Sequence, residues 1–159
     1  MSIHAEPLDL ERFLPYRLDI LAEGVSRALS RIYQTKYGLG VPEWRVLAHL
    51  GQYAPITAKA IGVHSRMHKT KISRAVAALE ELGLLARNDN DEDRREELLS
   101  LTVKGKAAYD DLAPQAADFA RHLLDDLSAT ERRALERAID QLLKRLEQNF
   151  VQPALIRQS

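Results

Sequence analysis

"ITAKAIGVHSRMHKTKISRAVAALEELGLL", residues 56–85, contains two short helical patterns joined by a tight turn. Thr57 stands where an N-cap belongs, ahead of "AKAIGVHS". The second pattern covers about 68–82, with Ile72, Val76, Leu79 and Leu82 as its buried stripe. Gly83 follows where a left-handed residue ends a helix. If that stripe faces inward, Lys69, Thr70, Ser73 and Arg74 fall on the outer, N-terminal part of the helix, and Lys71 borders them. From Thr57 to Leu79 the bases are Lys59, Arg66, Lys69, Lys71 and Arg74, with no acid among them. Together with His68, these side chains can reach a phosphate or a base edge. A helix-turn-helix reads DNA with this part of its second helix. Arg bonds guanine in a bidentate way, while Lys, Ser and Thr mostly hold phosphates.

Past Gly83 the pattern changes. "LLARN" and "ELLSLT" have strand character and flank the polar stretch "DNDEDRRE", which predicts a two-stranded hairpin with a long tip. Six acids between Asp89 and Glu97 stand against Arg94 and Arg95. Upstream, residues 1–13 read as a loose arm. A helix is expected over 15–37, opened by Pro15, striped by Leu18, Leu21, Val25, Leu29 and Ile32, and ended by Gly38 and Gly40. It is long for a small domain, so part of it is expected to pack on another chain. Pro42 opens "PEWRVLAHLGQY", with Trp44, Leu47, Ala48 and Leu50 as its apolar stripe, and Pro55 closes it. Downstream, Thr102 caps a helix over about 103–126, which Pro114 is expected to bend. "SATE", 128–131, matches a capping box for a last helix carrying Leu135, Ile139, Leu142, Leu143 and Leu146.

The expected fold is therefore mostly α. A winged helix-turn-helix lobe with a small β-hairpin wing spans 42–102. The N-terminal segment (1–37) and the C-terminal segment (103–159) carry amphipathic helices that could pack together. All of this suits a single domain of 159 residues.

The totals exclude several functions. With 23 Lys and Arg against 23 Asp and Glu, the chain is no polybasic coat, although local patches remain open to it. It has no cysteine, so disulfides and thiolate metal sites are excluded. The five histidines show no metal-binding spacing, and neither metal nor cofactor is expected. No apolar run approaches the ~18 residues of a membrane span, and the N-terminus lacks a signal-peptide layout, so the expected location is cytoplasmic. No catalytic residues emerge. Asp125 and Asp126 are adjacent and point to different sides of a helix, and there is no Gly-rich phosphate loop or nucleophile elbow.

On "ISRAVAALEELGLL", the wing signature Asp93-Arg94-Arg95 and the following "LLSLTVKG", the chain resembles MarR-type transcriptional regulators over about residues 14–147. The resemblance implies a homodimer on a pseudo-palindromic DNA operator, with a helical dimerisation lobe formed by the helices of 1–37 and 103–159 and with helix 68–82 in the major groove. It also implies that a wing-tip arginine, Arg95 with Arg94 beside it, enters the minor groove, where a narrow groove's potential draws a cation. Asp93 is then expected to orient the tip by pairing with an Arg. Asn90 and Glu92 depart from the family's usual Asp and Arg, and the extra acids are expected to weaken phosphate attraction around the wing. His68 sits where an acidic N-cap is common.

Many relatives release DNA when a small aromatic acid or similar effector binds between the dimerisation helices and the DNA-binding lobe. Candidates here are Arg17, Trp44, Arg45 and His49, with Tyr16 or Tyr33 nearby in sequence. Arg17 could clamp a carboxylate and Trp44 could stack on a ring. Each has a plainer role open to it: Trp44 in the core, Arg17 in a surface or inter-subunit ion pair, His49 as a hydrogen-bonded edge residue. Two other readings stay open: a winged-helix module that binds protein, and a repressor that needs no effector.

Overall fold

The computed structural model describes residues 8–151, the side chains of 149–151 apart. Most of the expected N-terminal arm and the last residues of the C-terminal segment thus lie outside the described residues. The order is α1 (Leu14–Tyr37), α2 (Val41–Tyr53), β1 (Ile56–Thr57), α3 (Ala58–Ser65), α4 (Lys69–Glu81), β2 (Leu85–Asp89), β3 (Glu97–Leu101), α5 (Val103–Leu123) and α6 (Ala129–Val151). The chain divides into two compact units between Ala117 and Asp118.

The first unit holds the core. Ile72, Ala75, Val76 and Leu79 of α4 are buried with Val46, Leu47 and Leu50 of α2, Ile61 of α3 and Leu99 of β3. On α2 the buried stripe differs from the expected one: Val46 is fully enclosed, whereas Trp44 and Ala48 are half-buried. Trp44 instead lies flat on Tyr33 of α1, ring centroids 5.3 Å apart.

The wing is a three-stranded antiparallel sheet in the order β1-β3-β2, where the sequence predicted two strands. The hairpin registers Leu85 with Leu101 and Asp89 with Glu97. The added strand pairs Ile56 with Leu99 and Thr57 with Leu98. Two residues are too few to display a period of two, so no local pattern announced it.

Caps explain most boundaries. Gly38 and Gly83 have positive φ, as the ends of α1 and of the α4 segment require. Thr102 Oγ1 accepts the Gly105 N–H at 2.9 Å and donates to the Gly83 carbonyl at 2.6 Å, so one hydroxyl starts α5 and ties it to the end of α4. α5 runs through Pro114 and stops at Leu123, three residues short of the expected end. In the second unit the capping box forms as predicted, Glu131 accepting from Ser128 and Ser128 Oγ accepting the Glu131 N–H. Those bonds hold the Glu131 carboxyl below its ordinary range.

Tyr37, which could simply finish α1, does more. Its hydroxyl donates to Asp111 of α5 at 2.9 Å, and Lys36 Nζ meets the same carboxylate at 2.7 Å. The Lys36 and Tyr37 bonds hold the Asp111 carboxyl below the usual range, and the Asp111 bond raises the Lys36 ammonium. The Asp111 contribution to stability is present above its unfolded pKa of about 4 and is lost as pH falls through the lower folded value. The Lys36 contribution persists until pH rises through its raised folded value. Asp111→Asn is therefore expected to flatten the acid limb of a stability–pH curve measured by denaturant unfolding.

Gly105 admits no larger residue. A Cβ there would overlap the Leu84 carbonyl oxygen. That backbone cannot retreat, because the Leu84 N–H is bonded to Leu79 at 2.9 Å and its carbonyl accepts the Thr102 N–H at 3.1 Å. Gly105→Ala should cost about 1–3 kcal/mol in the same unfolding experiment.

Candidate nucleic-acid interface

With the inner stripe of α4 buried, the helical period carries Lys69, Thr70, Lys71, Ser73 and Arg74 outward, and all five are exposed. His68 is the N-cap, its Nδ1 accepting the Thr70 N–H at 3.3 Å. α3 is capped by Thr57, whose hydroxyl accepts the Ala60 N–H at 3.1 Å. Arg66 makes the turn between the two helices in the left-handed conformation, φ 55°, at a position where no glycine marks the turn in the sequence. Loss of the Thr57 cap by Thr57→Ala is expected to lower stability by about 1 kcal/mol, read by denaturant unfolding.

Four of the sequence-predicted contacts converge. Lys59, Lys69, Ser73 and Arg95 line one groove of about 650 Å³ between the helix pair and the wing, floored by Ile72 and Leu99. His68, Thr70, Lys71 and Arg74 continue the exposed surface along the start of α4. Arg94 and Arg95 are both exposed at the wing. Among the described residues, the side chains of Lys69, Lys71, Arg74, Arg94 and Arg95 make no hydrogen bond or ion pair.

The wing acids behave differently from the sequence expectation. The Asp93 carboxylate accepts the backbone N–H of Arg95 at 3.0 Å, where pairing with an arginine side chain was expected. A two-residue side-chain turn is the shorter reach. Asn90 makes the same kind of turn to the Glu92 N–H at 3.1 Å. Glu96 faces Lys59 at 3.7 Å, and Glu97 accepts from Arg87 at 2.9 Å. Part of the acidic charge is thus answered inside the lobe.

Sequence reasoning passed over Arg87. Its Nε also donates to Glu80 of α4 at 3.0 Å, joining that helix to both hairpin strands. The two carboxylates raise its pKa. A lone Arg in a strand pattern carries no signal, because its partners lie seven and ten residues away and meet it only across the fold.

Of the effector candidates, Trp44, Arg45 and His49 lie on α2 and Arg17 on α1. Arg17 is exposed on α1, and among the described residues its side chain bonds to none of Trp44, Arg45 and His49. Arg45 is exposed, and its carbonyl is 2.6 Å from His49 Nδ1. The His49 ring neighbours those of Tyr53 and His64, which stack on each other at 5.2 Å.

A model of the MarR family matches residues 37–96, the span from the end of α1 through the wing tip. A regulator described as an uncharacterized HTH-type transcriptional regulator, YwoH of Bacillus subtilis (strain 168), is 30% identical over 98 residues, covering 62% of this chain and 71% of that protein. The chain belongs to the MarR family. The transcriptional repressor MprA of Escherichia coli (strain K12) is 35% identical over 80 residues, half of this chain and 46% of its own length. Among solved structures, a MarR/EmrR family transcriptional regulator from Acinetobacter sp. ADP1 superposes with a TM-score of 0.80 at 25% identity, covering 89% of this chain and 99% of that one. Membership makes the chain a DNA-binding transcriptional regulator with the MarR winged helix, and sets it apart from enzymes. No helix among the described residues is long and apolar enough to cross a membrane.

Proposed function

We propose that this MarR-family chain is a cytoplasmic repressor that binds a pseudo-palindromic operator as a homodimer. In this reading α4 lies in the major groove, with Arg74 reading a base and His68, Lys69, Thr70, Lys71 and Ser73 holding register. Lys59 and Arg66 meet phosphates, and Arg95, with Arg94 beside it, enters the minor groove. The observation that carries the reading is the exposed cationic face of α4, with Lys69, Lys71 and Arg74 unpaired beside an unpaired wing-tip Arg95. The repressor sign is supported by the likeness to MprA.

Dimerisation is supported by apolar surface that a single chain leaves in water. On α1, Leu14, Leu18 and Leu21 are exposed, and on α6 so are Leu135, Ile139, Leu142 and Leu146. Patches of this kind mark association surfaces. A two-fold dimer must present its recognition helices about one DNA turn, ~34 Å, apart. A small effector, an aromatic acid for example, would release DNA by favouring a different spacing. Its size of effect is set by its differential affinity for the two states. Arg17, Trp44, Arg45 and His49 are the side chains proposed to meet it.

The test is fluorescence anisotropy of a labelled duplex from just upstream of the protein's own gene, over a range of salt. The wild type should bind with a steep negative salt dependence. Arg74→Ala and Arg95→Ala should each weaken binding about tenfold, and a lost phosphate contact lowers the salt slope by about 1. Binding no tighter than to unrelated duplexes would count against the operator assignment. A flat salt response would point to a protein partner for the winged helix.

A further inference from the structure

Arg87 lies on β2, in register with Leu99 of β3, and its guanidinium is held from two sides. Nε donates to Glu80 near the end of α4 at 3.0 Å, and Nη1 donates to Glu97 at the start of β3 at 2.9 Å. The preceding residue, Glu96, faces Lys59 on α3 at 3.7 Å. The tip-side end of β3 is therefore tied to both helices of the helix-turn-helix by consecutive glutamates, Glu96 to Lys59 directly and Glu97 to Glu80 through Arg87. Arg95, whose side chain is unpaired, comes immediately before them.

We propose that Arg87 is a positioning residue for DNA recognition: clamped between Glu80 and Glu97, it fixes the wing against α4 and so decides where Arg95 meets the duplex. The proposal rests on the reading of α4 and Arg95 given above. Arg suits the task because its planar fork offers several donors in fixed directions, whereas Lys presents a point charge on a flexible stem. Two carboxylates occupy two of those donors, so the guanidinium serves the protein's own geometry more than a DNA phosphate. Each bond alone is an exposed ion pair of small worth. Their value lies in direction: a tip arginine displaced by about an ångström loses a contact that depends on fit.

The experiment compares Arg87→Lys and Arg87→Gln, each alone and combined with Arg95→Ala, on the best-binding duplex from the anisotropy assay. Arg87→Lys keeps the charge and loses the fork. A positioning role predicts that Lys and Gln weaken binding alike, by about three- to tenfold. It also predicts that Arg95→Ala, costing about tenfold in the wild type, costs less than about threefold in either variant. Arg74→Ala, on the helix, should keep its full effect in both backgrounds, which also reports that the lobe is folded. If Arg87 is simply a phosphate contact, Lys will match the wild type, Gln will lower the salt slope by about 1, and the Arg95 effect will multiply unchanged. That result overturns the proposal. Failure of the wild type to bind any duplex would remove the DNA reading itself and this proposal with it, an outcome distinct from intact binding with independent effects.

Discussion

The rest of the lobe depends on the burial of one face of α4. Ile72, Ala75, Val76 and Leu79 are almost wholly withdrawn from water against α2 and its neighbours. Each large apolar side chain so buried is worth about 1.5–3 kcal/mol relative to exposure. Rotating the helix by one residue's 100° would bring Ser73 and Glu80 inward in one direction, or Lys71 and Arg74 in the other, so the helix has one acceptable orientation. That same orientation carries the cationic residues to the outside. Packing and presentation are two consequences of one period.

The second constraint is electrostatic. A chain with equal numbers of acids and bases still presents a positive surface, because its compensation is local and uneven. Glu96 and Glu97 answer Lys59 and Arg87 within the lobe, while Lys69, Lys71, Arg74, Arg94 and Arg95 stay unpaired among the described residues. The acids of the wing include two that brace it. Through Glu96 and Glu97 the wing meets α3 and, by way of Arg87, α4 at defined points.

Close backbone contact makes the joint between the lobe and α5 stiff. Gly105 rests on the Leu84 carbonyl, and Thr102 bonds both to Gly83 and to the first turn of α5. Lys104 adds a bond from its ammonium to the Leu82 carbonyl at 2.8 Å. The Lys36–Tyr37–Asp111 cluster then ties α1 to the same helix. Through these contacts α1 and α5 are joined to the end of α4 and to the sheet.

The sequence by itself determined what depends on neighbours a few residues apart. The helices, the caps at Thr57, Thr102 and Ser128, the Gly38 and Gly83 stops and the outward face of α4 were legible, because each is decided within one or two turns of chain. The buried stripes were legible in part, since Leu82, expected inside, is exposed at the end of α4 and Val46 takes the place expected for Trp44 and Ala48. Only the tertiary structure decided what depends on distant residues meeting. β1 exists because Ile56 finds Leu99, and Trp44 stacks on Tyr33 of another helix. Arg87 acquires two partners from separate elements, and Glu96 reaches back to Lys59. Even Asp93, expected to pair with an arginine side chain, instead accepts a backbone amide, since the tight turn offers it the Arg95 N–H. Residue type restricts which groups can pair, but only closure of the chain brings a particular donor within 3 Å of a particular acceptor.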